Sequence, residues 1–147
     1  MRFTIKNMIT KILQKYDGFT NYWYPDVKEK TVYQSPDLEK YRAGCWDKER
    51  ELQKKYKQYI PLGWYGFSLG EPCPHDWYKI IDDFLEYLII LQDNGKISNF
   101  EIHQIKIKFG GLRFYVSYGC EDEEFREFID LQINKLENHL FDGKLVY

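Results

Sequence analysis

Apolar and polar positions alternate through two neighbouring runs, Glu101 to Phe109 and Leu112 to Tyr118, on either side of Gly110-Gly111. A two-residue period places every second side chain on one face of a strand. A Gly pair between such runs suits a tight hairpin, because both turn residues take positive φ without a Cβ penalty. With Gly110 and Gly111 as the loop, Phe109 faces Leu112, Ile107 faces Phe114, Ile105 faces Val116 and His103 faces Tyr118 on one side. On the other side Lys108 faces Arg113, Lys106 faces Tyr115 and Gln104 faces Ser117. The hairpin Glu101 to Tyr118 thus has an apolar face for a core and a cationic face.

Helical spacing recurs elsewhere. Pro74 to Gln92 carries Trp77, Ile80, Ile81, Phe84, Leu85, Leu88 and Leu91 on one wide stripe, with Pro74 before it and Asn94-Gly95 after it. This helix is the natural cover for the hairpin's apolar face. Asp122 to Phe141 repeats the pattern with Phe125, Phe128, Ile129, Ile133, Leu136 and Leu140, and its acidic first turn suits the helix dipole. Phe3 to Tyr16 predicts an amphipathic helix ended by Asp17-Gly18. Phe19 to Tyr33 reads as an aromatic loop broken by Pro25, with a short strand at Thr31 to Gln34. Ser35 and Pro36 look like a helix start, giving a helix Pro36 to Tyr41 that Gly44 interrupts before a polar second piece, Asp47 to Tyr59. That piece shows a narrow stripe of Leu52, Tyr56 and Tyr59 and a solvated face of Lys54, Lys55 and Lys57. Leu62 to Leu69 predicts a short aromatic strand, and Leu145 to Tyr147 a terminal one. The expected architecture is α+β: a small antiparallel sheet centred on the 101–118 hairpin, packed against two or three helices. One domain spans 1–147, with 17–60 as an arm or decoration.

Composition narrows the class. The length of 147 residues suits a single core, and 44% hydrophobic with 30% charged residues excludes a disordered chain. Aromatics reach 18%, which favours a binding surface or an oligomer interface, so a homo-oligomer is expected. A net charge of −2 argues against a dedicated nucleic-acid binder. Three widely spaced cysteines, Cys45, Cys73 and Cys120, read as reduced thiols in a cytoplasmic setting. The N-terminal stretch lacks the apolar run of a signal peptide, and no eighteen-residue apolar run predicts a membrane span.

Lys108 opposite Arg113, with Lys106 two residues along, is the most informative arrangement. Like charges across a strand pair cost roughly 0.2–1 kcal/mol. Three accounts offset that cost. The acidic run Glu121 to Glu124 or solvent neutralises the face. The lysines protect a sheet edge from aggregation. An anionic ligand sits on Lys106, Lys108 and Arg113, with neutral hydrogen bonds from Tyr115 and Gln104. His103 reads as a hydrogen-bonded core or edge histidine. Cys73 and His75 lack a second pair at zinc-site spacing, no nucleophile–base geometry is fixed, and Asp82 and Asp83 diverge by about 100° on a helix. No cofactor, metal or catalytic group is expected.

The string Lys106-Ile107-Lys108-Phe109-Gly110-Gly111-Leu112-Arg113-Phe114-Tyr115 resembles a K-E-K-F-G-G-L-R-F-Y signature of small, mostly uncharacterised phage and prophage proteins. Trp77 to Phe84 is similar to the W-x-x-L-I-D-x-L helix that precedes it there. The resemblance covers about Asp76 to Tyr118. Ile107 replaces the usual Glu, and the Cys-rich tail of some members is not matched, so a zinc ribbon is not carried over. The resemblance implies a phage-type accessory protein in the host cytoplasm. The expected function is non-catalytic binding of an anionic, nucleotide-like small molecule, with sequestration of a host defence signal as its purpose. The alternative is a module that inhibits a host protein through a Tyr/Trp-rich surface.

Overall fold

Residues 37–71 and 73–142 are described in a computed structural model of the chain. The expected helix Phe3 to Tyr16, the aromatic stretch with its short strand, the Ser35-Pro36 start and the Leu145 to Tyr147 strand lie outside these residues. Asp37 caps the first described helix: its carboxylate accepts from the Lys40 N–H at 3.0 Å. Helix α1 then runs Leu38–Lys55 without a break. Gly44 does not interrupt it. A Cβ there would come within 2.9 Å of the His75 ring, so Gly44 makes room for a neighbour. A 3₁₀ turn, Lys57–Tyr59, and strand β1, Gly66–Ser68, follow. Helix α2 spans His75–Asp93, β2 Ser98–Lys108, β3 Gly111–Gly119 and α3 Glu123–His139.

The fold is α+β, with a three-stranded sheet of order β1-β2-β3. The hairpin pair is antiparallel, but β1 runs parallel to β2, so the sheet is mixed. Parallel neighbours need a long crossover, and α2 supplies it. Phe67 pairs with Ile105 and Ser68 with Lys106. One sheet face carries Phe67, Ile105, Ile107, Leu112 and Phe114 into a core with α2. The Phe84 ring meets Phe114 edge-on at 5.4 Å. Trp77, Ile81, Leu85 and Leu88 of α2 are wholly buried, and each large side chain contributes on the order of 1.5–3 kcal/mol before entropy is subtracted. Helix α1 is no decoration: Cys45, Leu52 and Tyr56 belong to the same core. Its Lys55 pairs with Asp82 at 2.9 Å and also with Glu86, and the Tyr56 hydroxyl donates to the Asp82 carboxylate. Lys55 was expected on a solvated face. The α1–α2 packing brings it to Asp82. No helix among the described residues is long and apolar enough to cross a membrane.

The hairpin differs from expectation in two places. Its loop is Phe109-Gly110, with φ of 54° and 77°, and Lys108 pairs with Gly111. The register therefore moves by two residues, so the side chains from Gln104 to Lys108 and from Leu112 to Tyr118 keep their faces but change partners, whereas Phe109, expected on the apolar face, stands exposed in the loop. Lys106, not Lys108, lies opposite Arg113, and Gln104 lies opposite Tyr115. The cause is on the far side of β3. Gly111 bridges Phe141, and a Cβ on it would stand 3.3 Å from that ring. The Leu112 N–H donates to Leu140 O, and the Asp142 N–H to Gly110 O. Gly111 is thus used in the strand rather than in the turn. The second difference is a β-bulge. Ile102 pairs with Val116 and Gln104 with Tyr115, leaving His103 as the extra residue. Ile102 is wholly buried, and His103 moves off the apolar face.

Both sheet edges are bonded by the helices. On β1, the Glu49 carboxylate accepts from the N–H groups of Leu69 and Gly70, and the Gln53 carbonyl oxygen accepts from Phe67 N–H at 2.9 Å. On β3, the Glu137 carboxylate accepts from Phe114 N–H at 2.9 Å. Glu49→Ala should lower unfolding stability by about 1–3 kcal/mol, as two strand-end donors lose their acceptor. Glu49→Gln, which keeps an oxygen there, should recover part of the loss in denaturant titration. Phe109 is 76% exposed and holds a left-handed conformation that costs a bulky residue roughly 1 kcal/mol. Phe109→Asn should raise stability by about that amount in the same titration.

Candidate functional site

The sheet face turned away from α2 gathers polar and aromatic side chains in rows. Ser68, Lys106 and Arg113 form one row across β1, β2 and β3, and Gly66, Gln104 and Tyr115 form the next. Gln104 Nε2 donates to Ser68 Oγ at 3.4 Å. Lys106 Nζ lies 5.8 Å from the centre of the Tyr115 ring, and Lys108 Nζ 5.4 Å from that of Phe109. The bulge adds a third group. His103 stacks on Trp64 at 4.5 Å with the rings 10° apart. His103 Nε2 is 3.1 Å from Ser117 Oγ and 3.6 Å from Glu101 Oε2. Trp64 remains 49% exposed and Tyr115 47%, so one face of the indole is free for a flat ligand.

All five residues singled out from the sequence, Gln104, Lys106, Lys108, Arg113 and Tyr115, lie on this one face. Ser117 keeps the face that alternation assigned to it, and Trp64, Ser68 and His103 join them without having been anticipated there. Their signal was present in the apolar spacing. Phe100, Ile102, Ile105 and Ile107 skip a step between 102 and 105, which is the mark of an extra residue in a strand.

Neutralisation by the acidic run and edge protection by the lysines lose their basis, which leaves a solvated face or an anionic ligand. Among the described residues, Lys106, Lys108 and Arg113 form no ion pair. The acidic run Glu121 to Glu124 begins beyond the far end of β3, about 20 Å from Arg113 at ~3.3 Å per residue. Its Asp122 caps α3 by accepting from Phe125 N–H. Edge protection does not apply either, because β2 is the central strand.

No family model matches the chain, and neither a curated protein nor a solved structure matches it.

A second cluster of chemical groups joins α1 to the start of α2. Cys45 Sγ donates to the Cys73 carbonyl at 3.3 Å, and both thiols are wholly buried. Burial pushes Cys45 up to about 11 and raises Cys73 well above the ordinary thiol range. Both are therefore protonated near neutrality and poor nucleophiles. His75 Nε2–H donates to the Tyr41 carbonyl at 3.0 Å, and the rings stack at 3.7 Å. Burial lowers the His75 pKa, which favours the neutral ring. The Tyr41 hydroxyl accepts from His75 N–H at 2.8 Å. The cluster acts as a clasp between two helices. Among the described residues no three His, Cys, Asp or Glu side chains are grouped as metal ligands. Thiol titration of the native protein should modify Cys120, the partly exposed cysteine, first. Cys45 and Cys73 should react only when denaturant opens the core. Fast native labelling of Cys73, read by peptide mass, would contradict this assignment.

Proposed function

We propose that the solvent-facing side of the sheet binds an anionic, nucleotide-like small molecule without turning it over. The observation that carries this reading is the row of Lys106 and Arg113, flanked by Lys108 and without an acidic partner among the described residues. Lys106 and Arg113 face each other on adjacent strands, about 5.5 Å apart at Cα. Their mutual repulsion, roughly 0.2–1 kcal/mol, becomes attraction once an anion lies between them. Arg113 offers a planar fork to phosphate oxygens and Lys106 a point charge. Gln104 and the Tyr115 hydroxyl add neutral hydrogen bonds, and Lys108 extends the positive field toward the hairpin tip.

The base would stack on the free face of Trp64, an interaction worth about 1–3 kcal/mol. His103, stacked behind the indole, holds the platform. From His103 to Lys106 the strand advances about 10 Å, which suits a nucleoside carrying one or two phosphates. The resemblance of residues 106–115 to a phage-protein signature supports a setting in which such a protein holds a signalling nucleotide of the bacterial host.

The test is a thermal-shift screen of cyclic and linear nucleotides on the wild type and on Arg113→Ala, Lys106→Ala and Trp64→Ala. Ligand at a hundredfold its Kd stabilises by about 2.7 kcal/mol, which is readily seen as a raised Tm. Each of the three variants should bind at least tenfold more weakly, whereas Lys79→Ala, on the far side of α2, should behave as wild type. Absence of a shift with every nucleotide, or equal shifts in all variants, would sink the proposal.

A further inference from the structure

Among the described residues, the outer edge of β3 is bonded near the hairpin and open beyond it. The Leu112 N–H is taken by Leu140 O and the Phe114 N–H by the Glu137 carboxylate. In an antiparallel pair, alternate residues turn both backbone groups away from the partner strand. The alternation that sends Leu112 and Phe114 outward also sends out the Phe114 carbonyl, both groups of Val116 and the Tyr118 N–H. No described side chain or loop is bonded to these groups. They line one wall of a groove of about 400 Å³, whose other wall is α3. Val116 and Ile133 give it an apolar floor, and Asn134 stands on its rim. Tyr118, bonded through its hydroxyl to Asp130, closes one end, and Glu137 closes the other. The two charged side chains of the lining, Asp130 and Glu137, are both acidic, and no Lys or Arg belongs to it.

We propose that this groove takes an extended, basic peptide segment of a partner protein as a fourth strand. Backbone groups on an open edge supply the hydrogen bonds of strand addition, and alternate side chains of the peptide supply the specificity. From Phe114 to Tyr118 the edge is about 13 Å long, which fits four or five extended residues. One set of peptide side chains packs on Val116 and Ile133. A Lys or Arg in the segment meets Asp130 and Glu137, and an acidic segment is repelled by them. The groove lies on the strand edge and the cationic rows on the sheet face, with Tyr115 bordering both, and the charged side chains of the two sites are opposite in sign.

The probe is fluorescein-labelled acetyl-Val-Lys-Val-Arg-Val-amide. It is compared with a form in which Glu replaces Lys and Arg, and with a form N-methylated on alternate amides. Anisotropy should show the basic peptide binding the full chain, with both controls at least tenfold weaker. Amide exchange should slow at Val116 and Tyr118 when the basic peptide is present. Asn134→Lys, which adds a like charge at an exposed helical position, should weaken binding at least tenfold. Val116→Pro, which removes an outward-facing donor and is tolerated on an edge, should do the same, with folding checked by circular dichroism. Equal binding of the N-methylated peptide would overturn strand addition, as would no binding by any peptide or protection that maps to Lys106 and Arg113. If Val116→Pro fails to fold, Asn134→Lys and the N-methylated peptide still decide the outcome.

Discussion

The bonding of the sheet edges is the constraint on which the rest of this structure depends. A three-stranded sheet has two edges, and unpaired N–H groups on them are costly when buried. Strand β1 is only three residues long and cannot hold its place through β2 alone. Glu49 and Gln53, one turn apart on α1, reach across and accept from three of the N–H groups in and just after β1. This fixes α1 beside the sheet and so allows Leu52 and Tyr56 to enter the core. The close approach leaves no room for a side chain at Gly66, where a Cβ would come within 2.7 Å of Gln53. On the other edge, the end of α3 performs the same task with Glu137 and the Leu140 carbonyl.

That second edge also governs the hairpin. Two glycines follow Phe109, and local turn chemistry alone favours placing both in the loop. The chain leaving α3 overrides this preference, because Phe141 needs Gly111 beside it in β3. Phe109 is therefore forced to positive φ, a local strain that the long-range pairing maintains. The displacement of two residues conserves the faces of Gln104 to Lys108 and of Leu112 to Tyr118, so those parts of the core and cationic faces were readable from alternation even though the partners were not, while Phe109 and His103 left the apolar face. A displacement of one would have exchanged the faces and could not have survived.

The helices were legible for a related reason. The wide apolar stripe of α2 and the narrower one of α3 carry a helical period that burial enforces. Helix α1 was misread because its important residues are polar. Glu49 and Gln53 look like a solvated face, and nothing local marks them as partners of backbone groups 14 to 21 residues away. Gly44 misleads in the same manner. Read alone it ends a helix, yet within α1 it accommodates the His75 ring that clasps α1 to α2. Contacts between distant segments set the role of each of these residues.

The bulge at His103 joins the core to the candidate site. Strict alternation from Ile107 and Ile105 would bury His103 and expose Ile102. One extra residue reverses that outcome. Ile102 reaches the core, where it is wholly buried, while His103 and Gln104 emerge side by side on the open face. His103 then supports Trp64, and Gln104 contacts Ser68 of β1. A strand without the bulge would have to bury an imidazole or leave the indole without its platform. The hydrophobic demand of the core at Ile102 and the aromatic stack over the cationic rows are therefore met by the same backbone irregularity. A change that straightened β2 would disturb both together, because the side chains that exchange faces belong to neighbouring residues of one strand.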